Sequence, residues 1–228
     1  MTTEKVNFDN YADNYDEELV KSMGFFGEEN AYFAEYKIRI VKDDIGCKPL
    51  SILEYGCGTG RHMKFLSSYF PDAKVSGCDI SQKSIEVAEK ENPKSDFFLI
   101  DNENIISRKG SYDLIFISCV FHHIEPPMRK EAIQNVYELM KEGGELFLFE
   151  HNVYNPLTLK IVRECAFDKD AVLLPPAETI RLVKGSGLNL IAKKYSLFFP
   201  AALKFLRPVE KYLSAIPLGG QYYVHAKK

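Results

Sequence analysis

No stretch of this 228-residue sequence approaches the ~20 continuous apolar residues that a membrane-spanning helix needs. A spanning segment is therefore not expected. The N-terminal run MTTEKVNFDNYADNYDEE is polar and acidic and lacks the apolar core of a secretory signal. Cysteine pairs at C-x-x-C spacing are missing as well, which removes the usual zinc and thioredoxin patterns. The five cysteines present, Cys47, Cys57, Cys78, Cys119 and Cys165, read as small buried hydrophobes of a reducing compartment. Together these absences point to a cytoplasmic protein. An excess of positive charge is also lacking: the formal net charge is −3, so nothing chain-wide attracts nucleic acid phosphates, and no nucleic acid partner is expected. There is no internal repeat and no low-complexity tract.

What is there is an alternation of strand and helix patterns from Ser51 onward, the signature of βαβ units and a mostly parallel sheet. Strands are expected at Ser51 to Tyr55, Lys74 to Asp79, Asp96 to Ile100, Tyr112 to Ser118, Glu145 to Glu150, Leu188 to Lys194 and Gln221 to Ala226. The run YDLIFIS in the fourth is apolar enough to be covered on both faces. Helices are expected between them. One carries Phe65, Leu66 and Tyr69, and one is capped by Ser81 and closed by Asn92-Pro93. Another runs from about Pro127 to Lys141 and ends at Gly143-Gly144, and one starts near Pro175-Pro176.

The stretch ILEYGCGTG, Ile52 to Gly60, puts an acid at the end of an apolar strand and three alternating glycines in the turn that follows. The next strand, VSGCDIS, ends in Asp79. Glycines let the backbone approach a ligand closely, and an acid after the neighbouring strand can hold a ribose diol. A dinucleotide fingerprint, the nearest competitor, would need glycine where Arg61 stands.

This layout resembles the cofactor site of class I S-adenosylmethionine-dependent methyltransferases, most clearly over Ile52 to Glu150. The resemblance implies a Rossmann-like α/β fold: a seven-stranded sheet of order 3-2-1-4-5-7-6, mostly parallel with the last strand antiparallel, with helices on both faces. It implies S-adenosylmethionine as cofactor and S-adenosylhomocysteine as product. On that likeness Glu54, Gly56, Cys57, Gly58 and Gly60 cradle the methionine part, Asp79 and Ile80 meet the ribose, and Asp101 with Asn102 meets the adenine edge. Ser118 and Cys119, in SCVFHHIE, wall the cofactor. Asp101 has a plainer alternative as part of a solvated acidic loop.

If the acceptor is a hydroxyl, something must take its proton, and histidines near strand ends suit that. His122, His123 and His151 are the candidates, each with the plainer alternative of a structural histidine. The residues after the fifth strand, Glu150, His151 and Asn152, are acceptor contacts or turn chemistry before Asn155-Pro156. No catechol-type carboxylate cluster is in place, so metal dependence is not expected.

By the same resemblance residues 1–46 form an N-terminal helical lid bearing Tyr11 and Tyr15, with Tyr15 meeting the cofactor; aromatic packing of an accessory helix is the plainer alternative. Residues 47–228 would be the catalytic domain, with 196–220 inserted between the last two strands. In that insertion Leu203, Leu206, Val209 and Leu213 form a stripe beside Lys204, Arg207 and Lys211. It reads as a packing face over an acceptor pocket, with a peripheral membrane contact through 196–216 as the alternative. The segments EHN, NPLT and DKDAVLLP and the terminal LGGQYYVHAKK resemble bacterial methyltransferases associated with surface-glycan and glycolipid assembly. The function expected is methylation, at oxygen, of a small-molecule or lipid- or glycan-linked acceptor. The rivals are a cofactor-binding protein without chemistry, a nicotinamide-dependent oxidoreductase and a nucleic acid methyltransferase.

Overall fold

The computed structural model describes residues 30–165 and 168–228. In chain order these form α1 (Asn30–Asp44), β1 (Ser51–Tyr55), α2 (Met63–Tyr69), β2 (Lys74–Asp79), α3 (Gln82–Glu91), β3 (Asp96–Leu99), α4 (Asn102–Ser107) and β4 (Tyr112–Ser118). Then follow α5 (Arg129–Leu139), β5 (Met140–His151), α6 (Pro156–Glu164), α7 (Pro176–Gly185), β6 (Asn189–Ser196), α8 (Glu210–Leu213) and β7 (Gln221–Lys227). The strands make one sheet of order β3-β2-β1-β4-β5-β7-β6. β1 pairs in parallel with β2 and β4, and β7 runs antiparallel to both β5 and β6. The expected Rossmann-like sheet is the observed one.

Side chains along a strand alternate between faces, and each face here has its own core. Ile52, Leu114, Phe116, Phe147 and Phe149 pack on one side with Ile38 and Val41 of α1 and Met63 and Leu66 of α2. Leu53, Ile115, Ile117, Leu146 and Leu148 pack on the other with Ile133 and Val136 of α5 and Val183 of α7. Because β4 contributes to both cores, its uninterrupted apolar run is a consequence of double coverage.

Three local expectations are corrected. α5 ends at Leu139, and Met140 already pairs with Tyr112 as the start of β5, so Gly143-Gly144 lies inside a strand rather than closing a helix. The register shifts between Tyr112 and Leu114, and Gly143 takes φ +79, the conformation of a bulge that only glycine enters without strain. α4 and α6 were not expected; each is headed by an N-cap, Asp101 accepting from Asn104 N–H and Asn155 from the N–H groups of Leu157 and Thr158. Finally, the stripe between β6 and β7 packs only in part, with Leu206 and Leu213 half-buried. Residues Ala201–Val209 form a kinked 3₁₀ stretch in which Leu203 and Val209 are exposed, and Phe205 is 72% exposed.

The inward residue of that insertion is Glu210, which accepts from Tyr36 Oη (2.5 Å) and Phe199 N–H (3.0 Å). Arg207 stacks over the Tyr32 ring at 3.6 Å. Thus α1 and the insertion are held together by polar contacts of their own.

Candidate active site

At the carboxyl end of β1 the chain turns sharply. The N–H groups of Gly56 and Cys57 both donate to Cys78 carbonyl oxygen, tying the turn to β2. Asp79 closes the arrangement: its Oδ2 accepts from Gly58 N–H (2.8 Å) and its Oδ1 from Ser81 N–H (3.0 Å). Burial raises the Asp79 pKa, against the pull of three backbone donors, Ser81, Gly58 and Ile80. Gly58 adopts φ +51, and no atom lies within 4 Å of where a Cβ would stand, so its backbone is bare to a ligand. Glu54 gives Oε1 to His62 Nδ1 at 2.6 Å, while its buried Oε2 has no partner.

These groups border a cavity of about 430 Å³. That is within the range that encloses a nucleoside-sized ligand. Glu54, Gly56, Cys57, Gly58, Asp79 and Ile80 line it, as do Ser118 and Cys119 from the end of β4. His123 and Asp170 also line it. Three residues of the expected cofactor set stand apart. Gly60 faces Asn92 and Ala88, Asp101 is engaged in capping α4, where Asn104 Nδ2 also donates to it, and Asn102 begins that helix. Tyr11 and Tyr15 lie outside the described residues.

The histidines gather beside this cavity. His122 is 1% exposed, with Nδ1 2.6 Å from Glu150 Oε2 and Nε2 3.4 Å from Asp168 Oδ1. His123 Nε2 is also 3.4 Å from Asp168 Oδ1, and its Nδ1 is 3.9 Å from Asp170. The rings of His122 and His151 are 4.9 Å apart. Burial alone would keep His122 neutral, but Glu150 and Asp168 raise its pKa well above the usual histidine value. Burial and the neighbouring His122 push His123 down to about 4. Glu150 Oε1 accepts from Phe121 N–H (2.7 Å) and Val120 N–H (3.2 Å), which fixes the loop that carries both histidines.

Several participants escaped the sequence reading. Lys37 of α1 is buried and reaches Ser118 Oγ at 2.7 Å and Cys119 Sγ at 3.8 Å. Burial would raise the Cys119 thiol, but Lys37 and His151 lower it to about 7. Arg129 is fully buried and pairs with Glu178 at 2.7 Å, while also donating to the carbonyls of Phe121, Ile124 and Val172. It binds the histidine loop to the segment after α6. For Asp168 and Asp170 the available signal was the D-x-D spacing in DKDAVLLP; for Lys37 and Arg129, on ordinary helical faces, there was none.

Residues 52–144 match the family model of a methyltransferase domain. That segment is a methyltransferase domain, and the sheet it builds has the strand order of the class I fold. Its cofactor is S-adenosylmethionine, and the site fits that group on two counts: the bare backbone at Gly58 and the unpartnered Glu54 Oε2. Malonyl-[acyl-carrier protein] O-methyltransferase 1 of Ilyobacter polytropus is 35% identical over 102 residues, 43% of this chain and 37% of that one. The tRNA N(3)-methylcytidine methyltransferase Mettl2 of Drosophila melanogaster is 27% identical over 148 residues, 60% of this chain and 46% of that protein. The chain thus spans less than half the length of these curated relatives. A SAM dependent methyltransferase from Archaeoglobus fulgidus shares the fold with a TM-score of 0.71 at 18% identity, over 94% of this chain and 100% of that one. Among the described residues, no helix is long and apolar enough to cross a membrane.

Proposed function

We propose that this chain methylates an oxygen atom of a small-molecule or lipid- or glycan-linked acceptor. One observation carries the reading: a single cavity is bordered both by the glycine turn with Asp79 and by His123 with Asp170. The turn and Glu54 Oε2 would hold the amino-acid part of the cofactor. Asp79 would meet the ribose, since its carboxylate has an acceptor position beyond the three backbone N–H groups, of Gly58, Ile80 and Ser81, that donate to it. Bound there, the cofactor supplies a methyl group on a positively charged sulfur, so the chain itself needs no nucleophile.

What remains for the protein is alignment of the acceptor and exclusion of water. His123, which borders the cavity, would meet the acceptor; His122 and His151 stand behind it and hold the cluster in place. Buried imidazoles backed by carboxylates suit an oxygen that must be oriented. The match to a malonyl-[acyl-carrier protein] O-methyltransferase supports oxygen as the methylated atom. A lipid-linked acceptor draws support from the exposed Phe205, Tyr212 and Leu218 with Lys204 and Lys211 in the same segment.

The test is incubation with tritiated-methyl cofactor and cell extract split into small-molecule, lipid, glycan, protein and nucleic acid pools. Label in the small-molecule, lipid or glycan pool is expected. Label in the nucleic acid pool alone would overturn the acceptor assignment, and cofactor binding without label anywhere would leave a binding protein acting through a partner. Co-sedimentation with anionic vesicles separates a lipid-linked acceptor from a soluble one.

A further inference from the structure

We infer that His122, His123 and Asp168 form a binding site for one divalent transition-metal ion, best matched by Zn²⁺, at the acceptor edge of the cavity. The three donor atoms lie within 4.8 Å of one another. Both Nε2 atoms are 3.4 Å from the same oxygen, Asp168 Oδ1. Two donors held roughly 2.0–2.1 Å from a tetrahedral ion stand about 3.4 Å apart, so these two edges have the length that a common ion would impose. Two imidazoles and one carboxylate, with a position left open, is the donor set of a catalytic rather than a structural zinc site.

The surroundings support the assignment independently. A ligating histidine commonly turns its other ring nitrogen toward a carboxylate, which fixes the ring and makes it a better donor. His122 does so, with Glu150 2.6 Å from its Nδ1; Asp170 stands 3.9 Å from His123 Nδ1, beyond hydrogen-bond distance. Glu150 is itself anchored by two backbone N–H groups. Charge points the same way. Glu150, Asp168 and Asp170 bring three carboxylates with little exposure around two imidazoles. Arg129, the buried cation that holds the histidine loop, is already paired with Glu178. A divalent ion would offset that buried excess of negative charge. His123 and Asp170 border the cavity, so the open position would face it and take an oxygen of the acceptor. That last role rests on the methyl-transfer reading; binding of the ion does not.

The experiment uses the full chain, stripped with a chelator and titrated with Zn²⁺ alone by calorimetry, then with Co²⁺ as a spectroscopic stand-in. One equivalent of Zn²⁺ and the visible absorption of four-coordinate Co²⁺ are expected. Asp168→Asn should weaken Zn²⁺ binding by at least about 100-fold. If that variant folds poorly, Glu150→Gln, which keeps the oxygen that holds the loop and changes only the group facing His122, should weaken it by about 10- to 100-fold. Sub-stoichiometric uptake by the wild-type chain, or equal Zn²⁺ affinity in wild type and a folded variant, would overturn the site. Cofactor titrated in parallel separates the two readings: Zn²⁺ uptake without cofactor binding supports the ion site and removes methyl transfer, whereas cofactor binding without Zn²⁺ uptake removes the ion site alone.

Discussion

The two ends of the cavity are built by different means. The proposed cofactor end is mostly backbone: the Gly56–Gly58 turn, tied to Cys78 carbonyl oxygen and to Asp79, comes from two adjacent strands within about one βαβ unit. The proposed acceptor end is side chains, His122 and His123 after β4, Glu150 at the end of β5, and Asp168 and Asp170 beyond α6. A site made of backbone tolerates much substitution around it, because its donors belong to every residue. A site made of converging side chains depends on each element that delivers one.

That contrast can be broken most severely at Arg129, the buried cation that joins the histidine loop to the segment after α6. Arg129→Met should destabilise the fold by about 3–5 kcal/mol, because Glu178 and three carbonyls lose their partner. Urea unfolding measures the loss. A shift below 1 kcal/mol would show that the acceptor end does not hang on this residue.

Next in size is the cofactor end. Asp79→Ala should lower cofactor affinity by about 1–3 kcal/mol, roughly 10- to 100-fold, the scale of lost hydrogen bonds to a charged group. Calorimetry with S-adenosylmethionine reads it directly, and unchanged affinity would refute the ribose role.

A smaller effect separates two carboxylates that look alike in sequence. Asp101→Ala removes the cap of α4 and should cost about 1 kcal/mol of stability, visible as a lower thermal midpoint. A variant as stable as the parent would mean that the cap contributes nothing.

The smallest effect sharpens the boundary between the two ends. Cys119 borders the cavity with Lys37, His151, Glu150 and Gln221 around it. The thiolate is the reactive form, so alkylation by iodoacetamide should accelerate as pH rises through about 7. Lys37→Met removes the cation that favours the thiolate and should move that midpoint upward. A midpoint unmoved by the change would show that Lys37 does not act on the sulfur.

The legibility of the fold follows the same division. β1, β2 and β4 were readable to the residue, because strand periodicity, a flanking glycine turn and an N-cap such as Ser81 are local signals. The end of α5 was misread because a glycine pair closes helices far more often than it bulges a strand, and only the pairing of Met140 with Tyr112 reveals which applies. Asp101 and Asp79 each follow a strand and precede a helix, and their spacing does not tell a cap from a ligand. The insertion after β6 was legible only in part because an apolar stripe implies a partner without saying whether the chain supplies it; here Leu206 and Leu213 are half-buried, Leu203 and Val209 are exposed, and Glu210 turns inward.

By itself the sequence determined the sheet, the turn after its first strand and the acid beyond its second, since each depends on backbone conformation and on residues near one another in the chain. Only the tertiary structure decided that Lys37 reaches Cys119, that Arg129 holds the histidine loop, and that Asp168 meets both His122 and His123. Those contacts are made by side chains from separate elements, and their distances are set by how helices and loops pack, which no pattern along the chain encodes.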